Sequence, residues 1–194
     1  MATMYYLFFG FLFTVICGVK GAGNCFLNAT QLHSLSLPGP TGFRERLIGI
    51  AEREIGVAEA TGNNDGLRVE EYLKYTALGK GHDWCAAFVS WCYGQAGLAQ
   101  PRNPWSPALF PKDRVYRNGG MLHRKLAKAQ TKADVFGIYG TQAKRVNHVG
   151  LVKEIQGNYL ISIEGNSRNR VECRRRHLKA IYVLADWLAE KEVK

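Results

Sequence analysis

The stretch His148-Val149-Gly150-Leu151-Val152-Lys153-Glu154-Ile155-Gln156-Gly157-Asn158-Tyr159-Leu160-Ile161-Ser162-Ile163-Glu164 decides the fold class. Both halves alternate in the manner of strands, and Gly157-Asn158 between them is a hairpin turn signal. Val149, Leu151 and Lys153 fall on one strand face, and His148, Gly150 and Val152 on the other. Outward from this hairpin, Val135 to Tyr139, Arg170 to Arg174 and Ile181 to Ala185 also read as strands. Upstream the period is helical. Phe43 to Val57 places Leu47, Ile48, Ile50, Ala51 and Ile55 on one face, with Arg44, Glu45, Glu52, Arg53 and Glu54 mostly on the other. Leu67 to Leu78 and Asp83 to Ala96 read as two further helices, and Thr61 to Gly66 is a turn cluster. Pro101, Pro104, Pro107 and Pro111 make 101–120 an ordered loop or lid, with a short basic helix expected over Met121 to Ala129. Helices first and antiparallel strands second predict an α+β fold, the helices packed on one face of an antiparallel sheet.

The 194 residues are 46% hydrophobic and 22% charged, enough apolar material for one sizeable core. That excludes a disordered chain, a collagen-like chain and a disulfide-dense miniprotein. Five cysteines (Cys17, Cys25, Cys85, Cys92, Cys173) include no C-x-x-C pair, against a zinc ribbon or a thioredoxin-type motif. The formal net charge of +10 suits an anionic partner: nucleic acid, an acidic membrane surface or an anionic cell-wall polymer.

Tyr5 to Val19 is an uncharged apolar run of 15 residues, short of the ~20 that span a bilayer. It fits the core of a secretory signal, with cleavage expected after Gly21 or Gly23, so residues 1–23 are assigned to an export signal or anchor. Residues 24–42, punctuated by Pro38-Gly39-Pro40, are assigned to a linker, and 43–190 to the folded domain. No stable membrane span is expected after signal removal, and the chain is expected to be an exported monomer.

Three places concentrate the chemistry. In Gly81-His82-Asp83-Trp84-Cys85-Ala86-Ala87, Asp83 reads as an N-cap that puts Cys85 in the first helical turn. There the helix dipole and free backbone N–H groups favour the thiolate. Cys92, seven residues on, lies ~10 Å along the axis, too far for a disulfide, and reads as core. In Asn147-His148-Val149-Gly150, a histidine at a strand start can project into a cleft, with room beside it at Gly150. In Glu164-Gly165-Asn166, the acid ends the neighbouring strand. A hairpin about Gly157-Asn158 brings Glu164 to the rim that holds His148, where a carboxylate can orient an imidazole. Thiol, imidazole and acid in this order are what a cysteine hydrolase needs.

Trp84 to Gly97, the His-Val-Gly-Leu-Val stretch and Glu-Gly-Asn-Ser together resemble the CHAP family, cysteine- and histidine-dependent amidohydrolases/peptidases of bacterial cell-wall turnover. The resemblance runs from about Phe43 to Trp187. It implies a papain-like fold of the CHAP/NlpC type, with Cys85 as nucleophile, His148 as base, Glu164 orienting it and Asn166 as a supporting polar residue. It also implies peptidoglycan amide bonds as substrate, between muramic acid and L-alanine or within the peptides. Asp83, Trp84, Trp105, Arg174, Arg175 and Arg176 are candidates for the substrate groove. Ala133-Asp134 departs from the Gly-Asp usual in relatives. No cofactor and no required metal are expected, since Asn63, Asn64 and Asp65 lack the alternating carboxylates of an EF-hand.

The excess charge falls in two segments: residues 101–132, net +7, and residues 168–179, net +5. Both are expected to flank the cleft and to hold the anionic wall. The alternative of another class is a non-catalytic protein that binds an anionic polymer, cell wall or nucleic acid. Nucleic acid is not the expected partner, because no helix-turn-helix, zinc-finger or aromatic RNP signature is present.

Overall fold

The computed structural model describes residues 39–118 and 131–189. These fall in a compact unit that begins at Pro38. The export signal, most of the linker, and the basic helix expected over Met121 to Ala129 lie outside the described residues. Three helices come first: α1 (Pro40–Arg53), α2 (Leu67–Tyr75) and α3 (Cys85–Gln95). Six strands follow: β1 (Val115–Asn118), β2 (Val135–Gly140), β3 (Arg145–Gln156), β4 (Tyr159–Ser167), β5 (Arg170–His177) and β6 (Val183–Ala185). The sheet order is β1-β6-β2-β3-β4-β5, and every neighbouring pair is antiparallel. The α+β arrangement expected from the sequence is therefore present.

The β3–β4 hairpin turns at Gly157-Asn158, with Gln156 paired to Tyr159 and Leu151 to Ile163. Gly157 adopts φ +56°, the left-handed conformation that such a turn needs. The helices cover one sheet face. Every residue of α3 from Cys85 to Tyr93 is buried, and an all-round buried helix explains why this segment lacks an amphipathic stripe. α3 packs on β3 and β4, while α1 and α2 pack against α3. Val149, Leu151, Ile163 and Val171 join the helices in the main core. Phe136, Val152, Leu160 and Leu184 form a smaller core with Leu178 and Ile181.

Four local readings need correction. α1 starts at Pro40, three residues before Phe43, because proline is pre-organised for the first helical position. It also ends at Arg53, which leaves Ile55 outside it and 44% exposed. Arg44 belongs to the interior: its guanidinium contacts Asp134 and Asp186, each at 2.6 Å, and so ties α1 to the start of β2 and to the segment after β6. Val115–Asn118, read as loop, is the edge strand β1 paired with β6. A four-residue strand at the sheet edge carries too little alternation to be recognised. Ala133 has φ +67°, which explains why glycine suits this position and locates the departure from Gly-Asp in a left-handed residue.

Candidate active site

Cys85 is the first residue of α3. The N-cap is Trp84, with no side-chain cap, so Asp83 does not cap the helix as expected. The end of α3 still presents backbone N–H groups and the positive pole of the dipole to the thiol. The Ser106 hydroxyl lies 3.5 Å from Cys85 Sγ. Burial alone would push the thiol up, but hydrogen bonding and charge from His148, with help from Ser106 and the Val149 backbone, bring it below the ordinary cysteine value.

His148 stands on β3 with its side chain 21% exposed. Nε2 lies 2.7 Å from Glu164 Oε2, which leaves Nδ1 for the thiol. Burial lowers the imidazole pKa, but Cys85 and Glu164 outweigh it and raise the value to about 9. Glu164 is fully buried on β4. Burial raises its carboxyl, yet Arg176 first and His148 second bring it down to about 2. The shifts move the thiol toward thiolate, the imidazole toward imidazolium and the carboxyl toward carboxylate, the direction that nucleophilic attack by a cysteine needs. Gly150 lets the acid approach, since a Cβ there would sit 2.8 Å from Glu164 Cγ and 2.7 Å from Phe136. The room beside His148 is thus filled by Glu164, its hydrogen-bond partner.

Residues 77–166 match the family model described as the CHAP domain. This stretch is a CHAP domain. It contains Cys85, Ser106, His148, Glu164 and Asn166, while Arg176 lies beyond the matched residues. Curated proteins return no match. Among solved structures, the chain is similar to the peptidoglycan hydrolase RipB from Mycobacterium tuberculosis, at 16% identity and TM-score 0.48, over 78% of this chain and 67% of that one. It is also similar to the P60 domain of an M. avium paratuberculosis antigen, at 12% identity and TM-score 0.45, over 75% of this chain and 93% of that one. A third, an NLP/P60-family lipoprotein-like protein from Staphylococcus aureus, has 17% identity and TM-score 0.37, over 70% of this chain and 41% of that one.

Within the CHAP domain, Cys85 opens into a cleft of about 270 Å³, lined also by Asp83, Trp105, Ser106, Arg145 and Asn147. Of the groove candidates, Asp83 and Trp105 line this cleft, and Trp105 is 57% exposed. Trp84 is not a groove residue. It is fully buried, stacks near Tyr72 and donates from Nε1 to Glu59 at 2.8 Å. Arg174 and Arg175 line a different groove with Arg168 and Arg170, of about 550 Å³ and without Cys85. Arg176 is committed to Glu164. Asn166 does not reach His148. Its amide lies 3.2 Å from Asn64 Oδ1 and 3.3 Å from Asp83 Oδ1. Turned over, it would meet Glu59 Oε1 at 3.2 Å and the Trp84 N–H at 3.3 Å. Either way it ties β4 to the 59–66 loop and the approach to α3, a supporting part at one remove from the chemistry.

Sequence reasoning missed Ser106 and the attachment of Arg176. Ser106 sits in the proline-rich loop, whose short helical turn Ser106–Leu109 carries it to the thiol. No periodicity marks such a residue. Arg176 reads as one of three consecutive arginines, and only the β4–β5 pairing separates it from its neighbours.

Proposed function

We propose that this chain is an exported cysteine hydrolase that cleaves amide bonds of bacterial peptidoglycan, as an N-acetylmuramoyl-L-alanine amidase or an endopeptidase. The observation that carries the reading is the continuous array of Cys85, His148 and Glu164, which ends at a helix start in an open cleft. The CHAP match supports peptidoglycan as the substrate class, and the signal-like run Tyr5 to Val19 supports export. No helix among the described residues is long and apolar enough to cross a membrane.

In the reaction, the Cys85 thiolate attacks the amide carbonyl while His148 holds the proton. The Cys85 N–H, unpaired within its helix, faces the developing oxyanion, with Ser106 Oγ close to the same sulfur. His148 then protonates the departing amine, leaving an acyl thioester on Cys85. A water, deprotonated by His148, hydrolyses it and restores the thiol. Glu164 holds the ring in the tautomer that serves both transfers.

A digest of purified sacculi tests the reading. The expected products carry new amino and carboxylate ends and no new reducing sugars, and their masses tell amidase from endopeptidase. New reducing ends, or no release, would overturn it. The non-catalytic alternative draws on the arginine groove beside Arg170 and Arg175. The polarised thiol speaks against it, since a binding module has no use for an activated nucleophile.

A further inference from the structure

Glu164 is the innermost member of the array, and its two oxygens receive four donors. Oε1 accepts from Ser162 Oγ at 2.5 Å and from Arg176 Nε at 2.6 Å. Oε2 accepts from His148 Nε2 at 2.7 Å and from Arg176 Nη2 at 2.5 Å. Arg176 stands opposite Leu160, whereas Glu164 stands opposite Glu172, so the guanidinium reaches along the β4–β5 pair to meet the carboxylate side-on. This is the two-point fork that arginine can make and lysine cannot. Arg176 is 21% exposed and Glu164 is not exposed at all. Its neighbours do other things: Arg174 pairs with Glu172 at 3.0 Å, and Arg175 lies over the Tyr159 ring at 3.3 Å.

We infer that Arg176, through its two-point contact with Glu164, is a positioning residue of the active site that keeps the orienting carboxylate ionised and fixed against His148. An isolated buried carboxylate facing one imidazole has two poor options: to take up a proton, or to rotate toward other donors. Either loosens the imidazole. With the guanidinium on its far edge, the carboxylate keeps its charge in a dry site and shows one lone pair to Nε2. The array of guanidinium, carboxylate, imidazolium and thiolate is then neutral as a whole, which is how four charged groups share so little water. The inference uses the Cys85–His148–Glu164 array of the proposed function but not its substrate.

The test follows the thiol directly. The full chain is alkylated with iodoacetamide across a range of pH, and the rate is read from fragment ions that place the label on Cys85, since no Lys or Arg separates it from Cys92; the other cysteines fall in different peptides. In Arg176→Gln the acid limb of the Cys85 profile moves up by about one pH unit, a roughly ten-fold slower reaction on that limb. Arg176→Lys keeps a charge without the fork and moves the limb in the same direction by less. A purely structural arginine would lower the melting temperature and leave the limb in place. A wild-type profile in whichever variant folds overturns the inference. Because no substrate enters, failure of the wild type to digest sacculi would count against the proposed function alone.

Discussion

Cys85 and Cys92 are both buried on α3, yet their surroundings move them in opposite directions. Burial pushes Cys92 well above the ordinary thiol range, with the Glu54 carboxylate adding to it, so it stays a protonated core residue. The same burial at Cys85 is overridden by His148. Cys92→Ala is therefore expected to cost about 1 kcal/mol in denaturant unfolding and to keep full activity in the folded fraction. The pH dependence follows from the same pair. Activity rises as Cys85 yields its proton at a lowered pKa, and it falls through about 9 as His148 loses the proton that the leaving amine needs. A kcat/KM profile with its alkaline limb near neutrality would contradict this. Stability is linked in two windows. The His148 contribution is complete below its ordinary value and is lost as pH rises through about 9. The Glu164 contribution is complete above the ordinary carboxylate value and is lost as pH falls toward about 2.

At the scale of elements, the site depends on how closely β3 and β4 approach and on how α1 is held. Gly150→Ala would drive a methyl group into Phe136 and Glu164 Cγ, and the strand cannot yield without moving the acid. It is expected to lower kcat by about ten-fold with a modest loss of stability, measurable as activity against melting temperature. Arg44→Ala leaves Asp134 and Asp186 facing each other, with the Asp134 carboxyl already pushed up to about 7 by burial and by Asp186. A loss of about 3–5 kcal/mol is expected in denaturant unfolding, as for other buried pairs broken from one side. The hairpin and the three helices were legible because each repeats a period over many residues. Cys85 was placed by a helix start; His148 and Glu164 were expected at a strand start and a strand end, but they lie inside β3 and β4, which begin at Arg145 and end at Ser167, because the polar residues at the strand ends carry no apolar alternation. Arg44, Trp84 and Arg176 were misread for one reason. Each is a residue type that usually faces solvent or substrate, turned inward here by a partner far away in sequence: 90 residues from Arg44 to Asp134, 25 from Trp84 to Glu59 and 12 from Arg176 to Glu164. No local pattern records such partners.

Over the whole molecule, the +10 charge separates into parts with different tasks. Arg124, Lys125 and Lys128 of the first basic segment lie outside the described residues. In the second, Arg176 serves the active site, while Arg168, Arg170, Arg174 and Arg175 line a groove apart from the cleft. Neutralising Arg170 and Arg175 together is expected to weaken sedimentation with sacculi at low salt, and to leave cleavage of a small neutral peptide unchanged. Equal loss of both would place that groove in the catalytic path. The central claim is that Cys85 attacks a peptidoglycan amide, and its most direct test compares the wild type with Cys85→Ala on purified sacculi. The variant should melt like the wild type, bind sacculi and release no muropeptides while the wild type releases them. Equal release by the two proteins would contradict the account.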